Sequence, residues 1–305
     1  MAGLKVIKNK IQGVNKTHKV TKAMGAVSAV KMRKSQETAL AGRPYAHSAL
    51  SILTRVSGSL KASRHPLART RETGKTCVVV ITSDKGLAGS LNSAVLRETH
   101  RILTERSLSK SDVAFICIGK KGYEHFSKRG YEVLSHTVNL SDDVDPETLE
   151  KTSKDVVGLY SFEEYRECVV VYTNFVSTFE QRAVSRSLLP LDVAELEMLV
   201  SDIKPRAGKY SETKKEEAST PLYTIEPDEE TVLNELLPFL INIHFYHALL
   251  ESKASEHSAR MVAMKNASDK ARDLSKKWTR EYNKARQTLI TREVSEIVGG
   301  IEAMR

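Results

Sequence analysis

The sequence predicts an α/β protein with a long coiled coil: an antiparallel two-helix coiled coil drawn from both termini, with an open α/β sheet inserted between its helices. Three observations predict it. Apolar or small residues recur at three- and four-residue steps through the last fifty residues, a stretch without proline and with glycine only at Gly299 and Gly300. The first sixty residues repeat that spacing. Between them lie short, β-branched, uniformly apolar runs, each followed by a helical pattern, as buried parallel strands and their crossover helices require.

In the first rod, Leu4, Ile7, Ile11 and Val14 begin a phase that continues through His18, Thr21, Gly25, Ser28, Met32, Ser35, Ala39, Gly42, Ala46, Ala49 and Leu53. Large residues give way to small ones, so two helix backbones can approach closely. About 55–60 residues at 1.5 Å each make a rod of roughly 85 Å. Pro44 predicts a local kink or restart. The second rod is expected to begin at Glu226-Pro227-Asp228, with Pro227 in the first turn. It carries Leu233, Leu236, Leu237, Leu240, Ile243 and Leu250, then Ala254, Met261, Met264, Ser268, Ala271, Trp278, Tyr282, Ala285 and Leu289. Pro238 predicts another kink.

The middle predicts strands at 76–82, 113–118 and 168–172, with helices at roughly 90–107, 120–129 and 146–160. Arg182 to Leu191 and Leu222 to Ile225 read as edge strands, and the polar run Lys204 to Ser219 as an exposed loop. The predicted division is 1–64, 65–225 and 226–305.

Hydrophobic content is 40% and charged content 28%, against wholesale disorder, and no apolar run is long enough to span a membrane. The start Met1-Ala2-Gly3-Leu4-Lys5 lacks a secretory apolar run. A mitochondrial presequence is not expected, because the rod pattern begins at Leu4 and continues past any cleavage point. Cys77, Cys117 and Cys168 each sit inside an apolar run and read as small core residues in a reducing compartment. The net charge of +9 is uneven: residues 1–64 hold 13 basic groups and one acid, for +12, whereas 65–250 sum to −7 and 251–305 to +4. The rods therefore call for an acidic or phosphate-bearing partner.

The residues that carry chemistry elsewhere make no catalytic set here. Thr82 to Asn92 joins a strand to a helix where α/β sheets cradle phosphates, but its glycines, Gly86 and Gly89, lack the dinucleotide spacing. Gly74-Lys75-Thr76 resembles the end of a phosphate-binding loop, yet it precedes a strand, and Arg69 stands where the first glycine belongs. Docking by an exposed Asp84-Lys85 turn is the preferred reading. His244, His247 and His257 share a helix, but no carboxylate completes a metal set. No cofactor is expected. A basic coiled-coil nucleic-acid-binding protein with an α/β appendage is the alternative. Against it, the first rod offers Tyr45 as its sole aromatic for stacking.

Four stretches resemble the gamma subunit of F-type ATP synthase, over essentially the whole chain. They are Thr21-Lys-Ala-Met24 with Lys31-Met-Arg-Lys-Ser-Gln36; Thr82 to Asn92; Tyr223-Thr-Ile-Glu-Pro-Asp228; and Ser255 to Lys265, followed by Tyr282-Asn-Lys-Ala-Arg-Gln287 and Ile290-Thr-Arg-Glu293. The resemblance implies a non-catalytic rotor shaft, its sheet domain Rossmann-like, threading a ring of alpha and beta subunits above the epsilon subunit and a c-subunit ring. It implies no nucleic-acid partner and a peripheral place on the cytoplasmic face of a bacterial plasma membrane, or alternatively the matrix side of the mitochondrial inner membrane. Carried over by position, Met24, Lys31, Arg33, Asp84, Lys85, Ala88, Arg260, Arg286, Gln287 and Thr291 are expected to meet the beta subunit, and Tyr223 the foot beside epsilon and the c ring. Departures are Ala26 where the family commonly has Met, Ala88 and Ser90 about Gly89 where it often has Cys-Gly, and Gly300-Ile301 where it usually has Gly-Ala.

Overall fold

The computed structural model describes residues 2–41, 48, 65–142, 146–161, 164–191, 226 and 228–304. In chain order the elements are α1 (Ala2–Ala41), β1 (Lys75–Ile81), α2 (Leu91–Glu105), β2 (Val113–Ile118), α3 (Lys120–Ser127), β3 (Glu132–Thr137), α4 (Pro146–Ser161), β4 (Tyr165–Phe175), β5 (Gln181–Leu189) and α5 (Glu229–Glu302). They form two compact units, one of Met1–Ser28 with Arg260–Arg305 and one of Ala29–Ala259. Residues 64 and 225, the predicted boundaries, lie outside the described residues, as do Gly42, Pro44, Tyr45, Ala46, Ala49, Leu53, Pro227, the 204–219 loop and the 222–225 strand.

In the first unit α1 and α5 run antiparallel. Gly25 lies against Met264 and Met261, His18 Nδ1 bonds the Ser268 backbone carbonyl at 3.0 Å, and Ser275 Oγ donates to Asn15 Oδ1 at 2.7 Å. Lys10 then stacks on Trp278 at 4.5 Å, a contact worth about 0.5–1 kcal/mol. The phase read from the sequence is observed: Leu4, Ile7, Ile11, Val14, His18, Thr21, Gly25 and Ser28 all lie covered on α1, and Met261, Met264, Ser268, Ala271, Trp278, Tyr282, Ala285 and Leu289 lie covered on α5. With Gly, Ser and Thr at the crossing, the seam is thin and partly polar, and most residues around it stay exposed.

The second unit is built on a five-stranded sheet ordered β3-β2-β1-β4-β5, with β5 antiparallel to β4 and every other pair parallel. β1 and β2 are buried on both faces because each residue of Val78–Ile81 and Val113–Ile118 has apolar neighbours above or below. One face, with Val79, Ile116, Val170 and Tyr172, packs on Val156 and Tyr160 of α4 and on Leu233, Leu237, Ile241 and Phe245 of α5. The opposite face, with Val78, Val80, Phe115 and Val171, packs on Val95 and Ile102 of α2 and Phe126 of α3. Cys77, Cys117 and Cys168 are free thiols inside this core, as expected of small apolar fillers. Burial, then the neighbouring Cys77, drives the Cys117 thiol up to about 12.

Helix and strand limits follow the sequence closely, with one strand added. β3 escaped notice because none of its residues is fully buried, which suits an edge strand, and only Val133 and Leu134 of the six are apolar. α5 begins with Asp228 as its cap, whose carboxylate accepts the backbone N–H groups of Glu230 and Thr231 at 2.9 Å each. α5 also runs unbroken through Pro238. Leu237, Leu240 and Ile241, each at most 2% exposed, hold it there, and their burial offsets the roughly 3 kcal/mol a helical proline costs.

Candidate functional site

The turn after β1 is fixed by Thr82, Ser83 and Asp84. Thr82 N–H bonds the Ile118 carbonyl at 2.8 Å, and Thr82 Oγ1 accepts the Gly122 N–H at 2.8 Å, which joins the ends of β1 and β2 to α3. Gly119, at φ 92°, permits this crossing: a Cβ there would lie 2.0 Å from the Thr82 carbonyl oxygen. Ser83 N–H and Asn92 Oδ1 bond at 2.9 Å, and Asn92 returns its amide to Ser83 Oγ at 2.7 Å. Asp84 Oδ1 accepts the Lys120 N–H at 2.9 Å, placing a carboxylate at the N-terminus of α3.

The carboxyl ends of β1 and β2 are covered by α5 residues Leu249, Ser252 and Lys253, leaving about 10 Å³, room for about one water molecule. An anion at α3 would meet the Asp84 carboxylate. Among the described residues no group of three or more His, Cys, Asp or Glu side chains is arranged to hold a metal ion.

The three histidines on α5 are instead internal. His244 is 1% exposed, and burial, with the charge of Arg186 and the nearby His247, lowers it to about 3. Its Nε2 has no hydrogen-bond partner among the described residues. His247 stands 3.7 Å from Glu251. His257 Nε2 meets Asp142 Oδ1 at 2.9 Å, and Lys31 Nζ meets the other oxygen of the same carboxylate at 2.5 Å. Burial would raise the Asp142 pKa, but the bonds and charges of Lys31 and His257 outweigh it and hold it below the ordinary value.

The positions expected to meet a partner fall in four places. Met24, half-covered, and Arg260, 8% exposed, belong to the first unit, beside the Gly25–Met261 crossing. Lys31 and Arg33 are exposed on α1 within the second unit, and Lys31 is engaged with Asp142. Asp84, Lys85 and Ala88 share the turn after β1, where Lys85 is exposed and Ala88 is 3% exposed. Arg286, Gln287 and Thr291 are exposed on α5, within about 140° of helix surface. Tyr223 lies outside the described residues. Asp142 was not singled out by sequence reasoning, nor were Lys253, Ser255 and Ser258 as contacts. Their signal is weak: one acid in an acidic stretch, and small polar residues at positions 252, 255 and 258 of a helix.

Beyond Leu289 the covered seam ends and an apolar stripe lies bare: Ile290, Val294, Ile297, Val298 and Ile301 are 51–63% exposed. No helix among the described residues is long and apolar enough to cross a membrane.

A family model described as ATP synthase matches residues 3–304. The chain is 39% identical over 304 residues to the ATP synthase gamma chain of Pelotomaculum thermopropionicum and 36% identical over 305 residues to that of Heliobacterium modesticaldum, with both partners covered in full each time. Its fold is similar to a chain in the central stalk and c-ring structure of the Tetrahymena thermophila mitochondrial ATP synthase, with TM-score 0.60 and 27% identity over 82% of this chain and 99% of that one. A chain of the Euglena gracilis mitochondrial enzyme gives TM-score 0.65 over 99% and 95%, a likeness of fold at 21% identity. Terminal helices paired along a thin seam, an α/β sheet between them and likeness from end to end agree: the chain belongs to the gamma chains of ATP synthase.

Proposed function

We propose that the chain is the non-catalytic central-stalk rotor subunit of an F-type ATP synthase, turning within the ring of alpha and beta subunits and resting on epsilon and the c ring. The carrying observation is the full-length family match joined to a two-helix unit that is thin, basic and, past Leu289, apolar on an uncovered face. Such a surface suits a shaft enclosed by other chains. Nucleotide chemistry belongs to the ring in this reading.

Coupling follows from asymmetry. A shaft of two unlike helices touches each beta subunit differently, so its orientation biases each catalytic site toward a different affinity, and turning it passes that bias around the ring. The beta-facing set comprises Met24, Lys31, Arg33, Asp84, Lys85, Ala88, Arg260, Arg286, Gln287 and Thr291, with Tyr223 at the foot. Arg286, Gln287 and Thr291 act through direct contact, being exposed; Arg260 and Ala88, nearly covered, act by shaping the surface around them. The complex sits on the cytoplasmic face of a bacterial membrane.

Affinity purification of the tagged chain from its native membranes tests this. An ATPase complex containing alpha, beta, epsilon and c subunits is expected. Recovery without ATPase subunits, together with a shift of labelled DNA whose affinity falls steeply with salt, would support the nucleic-acid alternative instead.

A further inference from the structure

Between Lys253 and Ser258 of α5, four side chains grip the α/β unit. Lys253 Nζ donates to the Leu140 carbonyl at 2.9 Å and His257 Nε2 meets Asp142 at 2.9 Å, both in the segment after β3. Ser255 Oγ donates to the Thr173 carbonyl at 3.2 Å, near the end of β4, and Ser258 Oγ to the Thr178 carbonyl at 2.6 Å, in the β4–β5 turn. The turn is itself braced. Gln181 Nε2 reaches the Ser177 and Thr178 carbonyls and Ser258 Oγ, and Ser177 Oγ accepts the Phe179 and Glu180 N–H groups.

At about 100° per residue, Lys253 and His257 lie within roughly 40° of each other on the helix, and Ser255 and Ser258 within roughly 60°, the two pairs being about 150° apart. β3 and β5 are opposite edges of the sheet. The helix is therefore held at one level from two nearly opposite sides. A cylinder touched on one side can roll; one gripped on opposite sides cannot turn about its own axis without breaking a contact. Asp142 extends the grip to α1, since its second oxygen takes Lys31.

We propose that Lys253, Ser255, His257 and Ser258, with Asp142 and Lys31, form a torsional collar that locks both long helices to the α/β unit, so that rotation passes between them without slip. The residues are positioning residues, and the proposal rests on the rotor reading above. It gives a role to three of the buried polar side chains of α5: Ser255 and Ser258 are wholly buried and His257 is 3% exposed.

The test uses the whole ATP synthase in inverted membrane vesicles, with ATP hydrolysis and ATP-driven ion pumping measured on one preparation. The wild-type chain must assemble and support pumping, and failure here removes the rotor reading itself. Asp142→Ala removes the His257 and Lys31 bonds from one side of the collar and leaves that of Lys253 to the Leu140 carbonyl, Ser255→Ala with Ser258→Ala removes the other side, and the triple variant leaves the helix held by Lys253 from one side alone. We expect pumping per ATP hydrolysed to stay within about twofold for either side alone, and to fall at least about fivefold in the triple variant while hydrolysis persists. Asp142→Glu with the serines intact should pump as the wild type. A triple variant that pumps at the wild-type ratio overturns the collar, as does one in which hydrolysis and pumping decline in proportion, the mark of a purely structural role. Should the triple variant fail to assemble, Asp142→Asn with Ser258→Ala decides on the same ratio, with a threshold of about twofold.

Discussion

His244 shows how one side chain records its surroundings. It is buried on the face of α5 that meets the sheet, and its Nε2 has no partner among the described residues, so the protonated form finds no solvent and faces Arg186. Its folded pKa, about 3, lies below the ordinary 6.5. The unfolded chain therefore binds the proton first, and stability present above pH 6.5 is lost as pH falls toward the folded value. His100 and His125, whose Nε2 atoms meet at 2.9 Å, are also lowered, chiefly by burial and then by Arg129, and add to the loss in the same direction. Carboxylates contribute only below about pH 4.5. Between about pH 6.5 and 4.5 the wild type should thus lose on the order of 2 kcal/mol through His244. His244→Leu should be nearly neutral at pH 7.5, because it removes a polar atom without a partner, and should flatten that part of the profile. Thermal melting against pH decides: a parallel acid slope in the variant defeats the assignment.

At the scale of elements, the thin crossing between α1 and α5 in the first unit turns on Gly25. A Cβ there would stand 3.6 Å from Met264 Cβ and 3.9 Å from the Met261 carbonyl oxygen, ordinary contact distances. Glycine is thus not demanded by space for one methyl group, and Gly25→Ala should raise stability by up to about 1 kcal/mol through helix propensity. Gly25→Leu adds three further carbons beside Met264 and should lower it by about 1–3 kcal/mol. Urea titration of the two variants checks both signs; equal destabilisation by Ala and Leu would mean that the helices pack closer than described. The crossing was legible in the sequence because the spacing of Thr21, Gly25 and Ser28 continues that of Leu4 to Val14, and size and phase together specify a close antiparallel pair. β1, β2 and β4 were legible because burial on both faces leaves uninterrupted apolar runs. β3 and the carboxylate of Asp142 were not: an edge strand needs only partial cover, and a contact between residues 111 and 115 positions apart leaves no local pattern. The turn after β1 was legible as a turn, while the half-burial of Asp84, expected to be exposed, and the burial of Ala88 depend on neighbours that spacing does not reveal.

For the whole molecule, the sign of charge changes along the chain: +12 over residues 1–64, −7 over 65–250 and +4 over 251–305. Folding does not require this, since most of the charged side chains of α1 and α5 are exposed and surface pairs contribute little to stability. Lys5, Lys8, Lys16, Lys19 and Lys22 are all exposed on α1, with no acid among residues 1–28 to neutralise them. A field of one sign over a helix acts instead on encounter, raising the rate of association with a partner surface of opposite charge. Screening then separates this role from packing, because the Debye length shrinks from about 30 Å at 0.01 M salt to about 8 Å at 0.15 M. The association rate of the chain with isolated alpha and beta subunits should fall at least about tenfold across that range, whereas dissociation, governed by the apolar stripe beyond Leu289, should change by less than about threefold. Replacing Lys5, Lys16 and Lys19 by Gln should flatten the salt dependence of association and leave the melting temperature of the chain within about 3 °C. Stopped-flow fluorescence across the salt series measures both rates. A salt-independent association rate in the wild type would remove steering from the account and leave shape alone to guide the shaft into the ring.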